Sequence, residues 1–129
     1  MSDPEYKVHP PHRNGNPRKS QWTISEPDEI ECFRAAFRNN WRVGATTWGL
    51  HLVEQQPDWL GVSKDRANRL FIAKFVSDAK TGPWHGYPAD YRNNQHDIPS
   101  ESILGKWLME TKLSAAKIRK IARGQPCSL

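Results

Sequence analysis

Two groups of residues in this chain have the types and spacing for recognition chemistry. The first is basic: Lys112, Lys117, Arg119, Lys120 and Arg123 crowd the C-terminal region. Cations in such an array neutralise phosphates and release counterions, which drives salt-sensitive binding to nucleic acid. The guanidinium fork of Arg119 also matches the edge of a guanine. Arg13, Arg18 and Lys19 form a second basic patch in a polar, proline-broken segment. Such arms reach along a phosphate backbone or into a minor groove.

The second group is Trp84, His85, Tyr87, Asp90, Tyr91 and Arg92. It sets aromatic rings beside an imidazole, a carboxylate and a guanidinium. Rings stack a planar ligand, while His85 or Arg92 holds an anion. His85 has the chemistry of a general base if Asp90 orients its other nitrogen. His96 and Asp97 repeat that pairing.

Other chemistries find no support. The chain has no phosphate-cradling glycine loop, no nucleophile elbow and no zincin histidine pair. No catalytic residue, metal ligand or cofactor is therefore expected. His9 and His12 stand apart from any second ligand cluster. Cys32 lies beside an apolar stripe and reads as a buried, inert thiol, and Cys127 reads as a bystander. Two cysteines make no disulfide framework.

The elements that would position these groups read as helical. At 129 residues the chain fits one domain. Residues 1–24 are rich in proline and asparagine and suggest a flexible basic arm, residues 25–126 a domain, and residues 127–129 a tail. Ser25 reads as an N-cap, and Ile30, Phe33, Phe37 and Trp41 make a stripe at helical spacing. Helices are expected near 26–40, 46–56, 64–79, 100–111 and 114–123. The second also reads as a strand, but a single strand would lack a partner. The third rests on Ala67, Leu70, Phe71, Lys74 and Phe75 at three- and four-residue steps. The last two make a helical hairpin, with Ser114 as cap and Gly124 past the end. Residues 81–98 read as a long loop packed by its own aromatic side chains. The expected fold is an all-α, single-domain bundle of about five helices, with a C-terminal hairpin and one long aromatic loop. Trp41, Trp48 and Trp107 fall on apolar faces and belong to its core, and Trp59 to a helix corner.

Net charge is +5, and it is uneven. Residues 26–62 carry −3 and residues 100–129 carry +4. The hairpin with its basic second helix has the outline of a helix-turn-helix, although its turn lacks glycine. The function expected is nucleic-acid binding, to DNA or RNA, through the hairpin and the arm. One alternative is a protein-interaction or regulatory module with a protein partner. The other is a small-molecule site or enzyme on the Trp84–Arg92 loop. No apolar run suits a membrane span or a secretory leader, so a cytoplasmic location is expected.

Overall fold

The computed structural model describes residues 4–77 and 82–127. It overturns the all-α helical bundle. Two antiparallel sheets and three α-helices make an α+β fold. The larger sheet contains β2 (Arg42–Val43), β3 (Thr46–Val53), β4 (Gln56–Asp58), β7 (Ile72–Ser77) and β8 (Trp84–Ala89). Its order is β2-β3-β7-β8, with β4 on the far half of β3. The smaller sheet orders β1 (Gln21–Trp22), β5 (Gly61–Val62) and β6 (Arg69–Leu70) as β1-β5-β6. The helices are α1 (Glu26–Arg38), α2 (Glu101–Glu110) and α3 (Ala115–Ala122).

Three expected elements change type. Residues 46–56 form the β3–β4 hairpin, for which β7 supplies the missing partner, from Thr46 opposite Val76 to Leu50 opposite Ile72. The helix expected over 64–79 is not formed by residues 64–77, which hold a turn, β6 and β7. β7 is central, with its successive residues Ile72 and Ala73 on opposite faces both fully buried, so its apolar residues do not alternate and periodicity cannot separate the segment from a helix. Residues 78 and 79 of that expectation, and residue 81 of the expected loop, lie outside the described residues. Within the expected aromatic loop, residues 84–89 form β8, paired with β7 from Ile72–Ala89 to Ser77–Trp84, and a 3-10 turn at Gln95–Asp97 follows.

Strand alternation builds two cores, one on each face of this sheet. Ala73 and Phe75 face α1 and meet Cys32, Phe33, Leu60, Trp22 and Trp84. Trp48, Leu50 and Ile72 face α2 and α3 and meet Ile103, Leu104, Trp107 and Ile121. Trp41, Trp48 and Trp107 are core residues as expected, and Trp22 and Trp84 join them. Trp59 is half-buried under the Arg69 guanidinium, 4.7 Å from its ring centre.

Residues 4–24, read from the sequence as a flexible arm, lie against this framework. Tyr6 makes a parallel bridge to Trp84, with Lys7 N–H donating to the Trp84 carbonyl at 2.8 Å and Trp84 N–H to the Glu5 carbonyl at 2.8 Å. The arm thus covers the open edge of β8, which would otherwise present unpaired backbone groups. It then turns through a 3-10 turn at Pro10–His12 into β1. No helix among the described residues is long and apolar enough to cross a membrane.

Close packing fixes the sheet's centre. A Cβ on Gly86 would sit 2.2 Å from the Phe75 ring, and one on Gly49 2.9 Å from the same ring. Phe75 occupies the space these two glycines leave. Gly86→Ala is therefore expected to lower stability by about 1–3 kcal/mol through overpacking, read as a reduced urea midpoint with an unchanged slope.

Candidate functional site

The arm brings its basic residues to β8. Its anchor is Glu29, whose carboxylate is completely buried. The sequence stripe placed Ile30 inward on α1, yet the buried positions are Glu29, Cys32, Phe33 and Ala36, at helical spacing. Arg13 donates to Glu29 from Nε at 2.9 Å and from its terminal nitrogen at 2.7 Å, and also to the Ile24 carbonyl. The Tyr6 hydroxyl donates to the other carboxylate oxygen. Burial raises the Glu29 carboxyl, opposed by the Tyr6 hydrogen bond and by Arg13. Burial raises the Tyr6 phenol too, reinforced by the charge of Glu29. Arg13 is thus committed to holding the arm, while Arg18 and Lys19, beyond the turn, are exposed.

Between the arm and β8 lies a cleft of about 400 Å³. Arg18, Lys19 and Lys64 line it, as do Asp90, Asn93 and Asn94. His12, Ser20, Tyr87 and Asp97 complete its walls. His12 and Tyr87 stack at 5.1 Å with planes 17° apart. His9 lies between His12 and His85, at 5.4 and 5.0 Å between ring centres. The Tyr87 hydroxyl donates to Asp97 at 2.8 Å, and burial raises that phenol. Asp97 is also 3.7 Å from the Lys74 ammonium.

His12 Nδ1 is 2.9 Å from the Ser20 carbonyl, so Nδ1 carries the proton and donates. Burial lowers this imidazole, opposed by the Ser20 carbonyl and reinforced by the neighbouring His9, Lys19 and His85. His12 is therefore neutral at pH 7.

The structure separates the expected aromatic group. Trp84 and Tyr91 are buried, and Tyr91 donates to the Gln125 carbonyl at 2.8 Å. Burial pushes the Tyr91 phenol up to about 12. His85 faces the histidines of the arm rather than the cleft wall. Only Tyr87 and Asp90 of the six line the cleft. Arg92 is exposed and donates to the Asn68 side chain at 3.0 Å. Of the C-terminal cations, Lys112, Arg119, Lys120 and Arg123 are exposed and Lys117 is half-buried.

His12, Ser20, Lys64, Asn93, Asn94 and Asp97 were not singled out for this cleft by sequence. They come from four separated segments, and only the pairing of β8 with β7 and the docked arm bring them together. Glu29 did leave a signal: it stands four residues before Phe33, within the inner helical face.

A second cavity of about 280 Å³ is lined by Cys32, Leu50 and His51, among others. Cys32 Sγ is 3.8 Å from His51 Nδ1. Burial, with Asp28, Glu29 and Glu31 nearby, pushes the thiol up to about 12. Cys32 thus stays protonated at neutral pH and is no nucleophile. Among the described residues no group of three or more His, Cys, Asp and Glu is placed to hold a metal ion. No protein-family model, curated protein or solved structure matches this chain.

Two outcomes follow from the anchored arm. Arg13→Ala leaves the Glu29 charge buried without its partner and is expected to cost about 3 kcal/mol. Tyr6→Phe removes one hydrogen bond and is expected to cost less, about 1 kcal/mol; chemical denaturation measures both. The lowered His12 value has a definite sign. The unfolded chain binds a proton near pH 6.5 that the folded chain refuses until lower pH. Stability from this group is full above pH 6.5 and falls as the pH drops below it. Melting curves between pH 8 and 5 should show that decline, and His12→Asn should flatten it.

Proposed function

We propose that this chain binds the phosphate backbone of nucleic acid along a basic belt running from the arm to α3. The observation that carries the proposal is a chain of contacts linking the cationic segments. The Arg66 guanidinium donates to the Lys19 carbonyl at 3.2 Å and to the Asn16 carbonyl at 3.5 Å. Arg92 reaches Asn68, in the same loop as Arg66. Tyr91, beside Arg92, holds the Gln125 carbonyl just beyond α3. Arg18, Lys19, Lys64, Arg66, Arg92 and Arg123 therefore lie on neighbouring segments, all exposed. Cations closer together than about 8–10 Å act jointly on a polyanion at physiological salt.

α3 suits the outer end of such a belt. Ile121 is fully buried and Ile118 partly buried against the core. Ala115, Ala116, Arg119, Lys120, Ala122 and Arg123 are exposed. Ser114 caps the helix by accepting from Lys117 N–H at 3.2 Å. Its last turn carries Arg119 and Lys120, which complement the negative end of the helix dipole. Four residues join it to α2, whose buried face of Ile103, Leu104 and Trp107 fixes the pair to the sheet.

Fluorescence anisotropy with labelled single-stranded and duplex oligonucleotides tests the proposal. Binding should weaken as salt rises, linearly in logarithmic coordinates. Changing Arg119, Lys120 and Arg123 together to Gln should reduce the slope by about 2–3, with an unchanged circular dichroism spectrum. No binding at low salt, or binding indifferent to these changes, would refute it.

A further inference from the structure

We propose that the cleft between the arm and β8 binds a phosphate monoester carrying neighbouring hydroxyl groups. A sugar phosphate brings both groups, and the 5′-phosphorylated end of an RNA strand brings the phosphate with its ribose 2′-hydroxyl. The inference goes beyond the belt, because polymer binding along exposed cations needs no cleft.

The cleft is lined by groups of both signs. Arg18, Lys19 and Lys64 are among them, and among the described residues none of the three forms an ion pair, although Lys64 acts on the exposed Asp65 carboxyl. Three cations at one concavity favour an anionic group and draw it inward. The same lining carries Asp90. Its Oδ2 accepts from the Asn93 amide at 3.0 Å, whereas its Oδ1 is buried with no hydrogen-bond partner. An unsatisfied carboxylate oxygen favours a ligand that brings a donor.

The remaining groups in the cleft are already committed. Asp97 accepts from Tyr87 and lies beside Lys74. The Ser20 hydroxyl donates to the Pro88 carbonyl at 2.7 Å. His12 is neutral and donates to Ser20. Asp90 is therefore the carboxylate left to meet a ligand, and it repels phosphate while accepting from hydroxyls. That polarity fixes the orientation: phosphate against Arg18, Lys19 and Lys64, hydroxyls against Asp90 and Asn93. A volume of about 400 Å³ accommodates a pentose phosphate.

Isothermal titration calorimetry with ribose 5-phosphate, inorganic phosphate and ribose tests the site in the intact chain. Ribose 5-phosphate should bind with a Kd below about 1 mM, inorganic phosphate at least about tenfold more weakly, and ribose not measurably. Lys64→Gln should weaken both phosphates. Asp90→Ala should abolish the preference for ribose 5-phosphate over inorganic phosphate. No binding of ribose 5-phosphate, or binding that both variants leave unchanged, overturns the inference. Anisotropy with one oligonucleotide, with and without a 5′-phosphate, separates the two sources. Tighter binding of the phosphorylated strand assigns the strand end, and equal binding beside a positive titration assigns the free sugar phosphate. Oligonucleotide binding without ribose 5-phosphate binding would refute the cleft site and leave the belt standing; the reverse would refute the belt alone.

Discussion

The buried carboxylate of Glu29 is the constraint on which the arrangement of this molecule turns. A charge taken fully out of water is costly unless its oxygens are met by donors. Arg13 and Tyr6 meet them here, and both belong to the arm. With the arm in place, α1 buries its inner face against the sheet without leaving the Glu29 carboxylate unpaired. The arm in turn has few apolar residues of its own, and Glu29 gives it a fixed attachment. Tyr6 adds packing to this, its ring 5.0 Å from Phe33 and 5.8 Å from Phe75.

From that attachment the placement of the basic residues follows by geometry. The arm crosses the β8 edge, places His12 on Tyr87, and passes Arg18 and Lys19 over the cleft before entering β1. β1 pairs with β5, so the turn after β5 brings Lys64 to the same cleft. On the far side Tyr91 secures the end of α3. The sheet serves as a partition: α1 and Tyr6 pack on one face and the α2–α3 hairpin on the other, while His9 and His12 of the arm reach His85 and Tyr87 of β8. Residues that bear charge lie on the segments leaving this partition, where solvent and ligands reach them.

The helices were legible in the sequence because their caps and stripes are local. Ser25 accepts from Asp28 N–H, and Ser114 from Lys117 N–H, as their positions suggested. The strands were not, for a reason of physics. Leu70, Phe71, Phe75 and the residues between them satisfy helical spacing and a doubly buried strand alike, and only the partners β3 and β8 decide. The β3–β4 turn hid as well. Glu54 and Gln55 take φ of 52° and 70°, positions that asparagine and glycine usually advertise. Within the site, the charge of Arg18, Lys19 and the C-terminal helix could be read from composition. Arg13 looked equivalent to them, and only the position of Glu29 distinguishes it. The cleft depends on contacts between distant segments, so no local pattern announces it.

We propose that the arm, the loop after β5, the turn after β8 and α3 form one phosphate-binding surface. Amide chemical-shift mapping by NMR during titration with an oligonucleotide shows whether they act together. Perturbations should cluster at residues 18–20, 64–68, 92–94 and 119–125 and fade together as salt is added. Shifts confined to the acidic start of α1, or spread evenly over the chain, would contradict it.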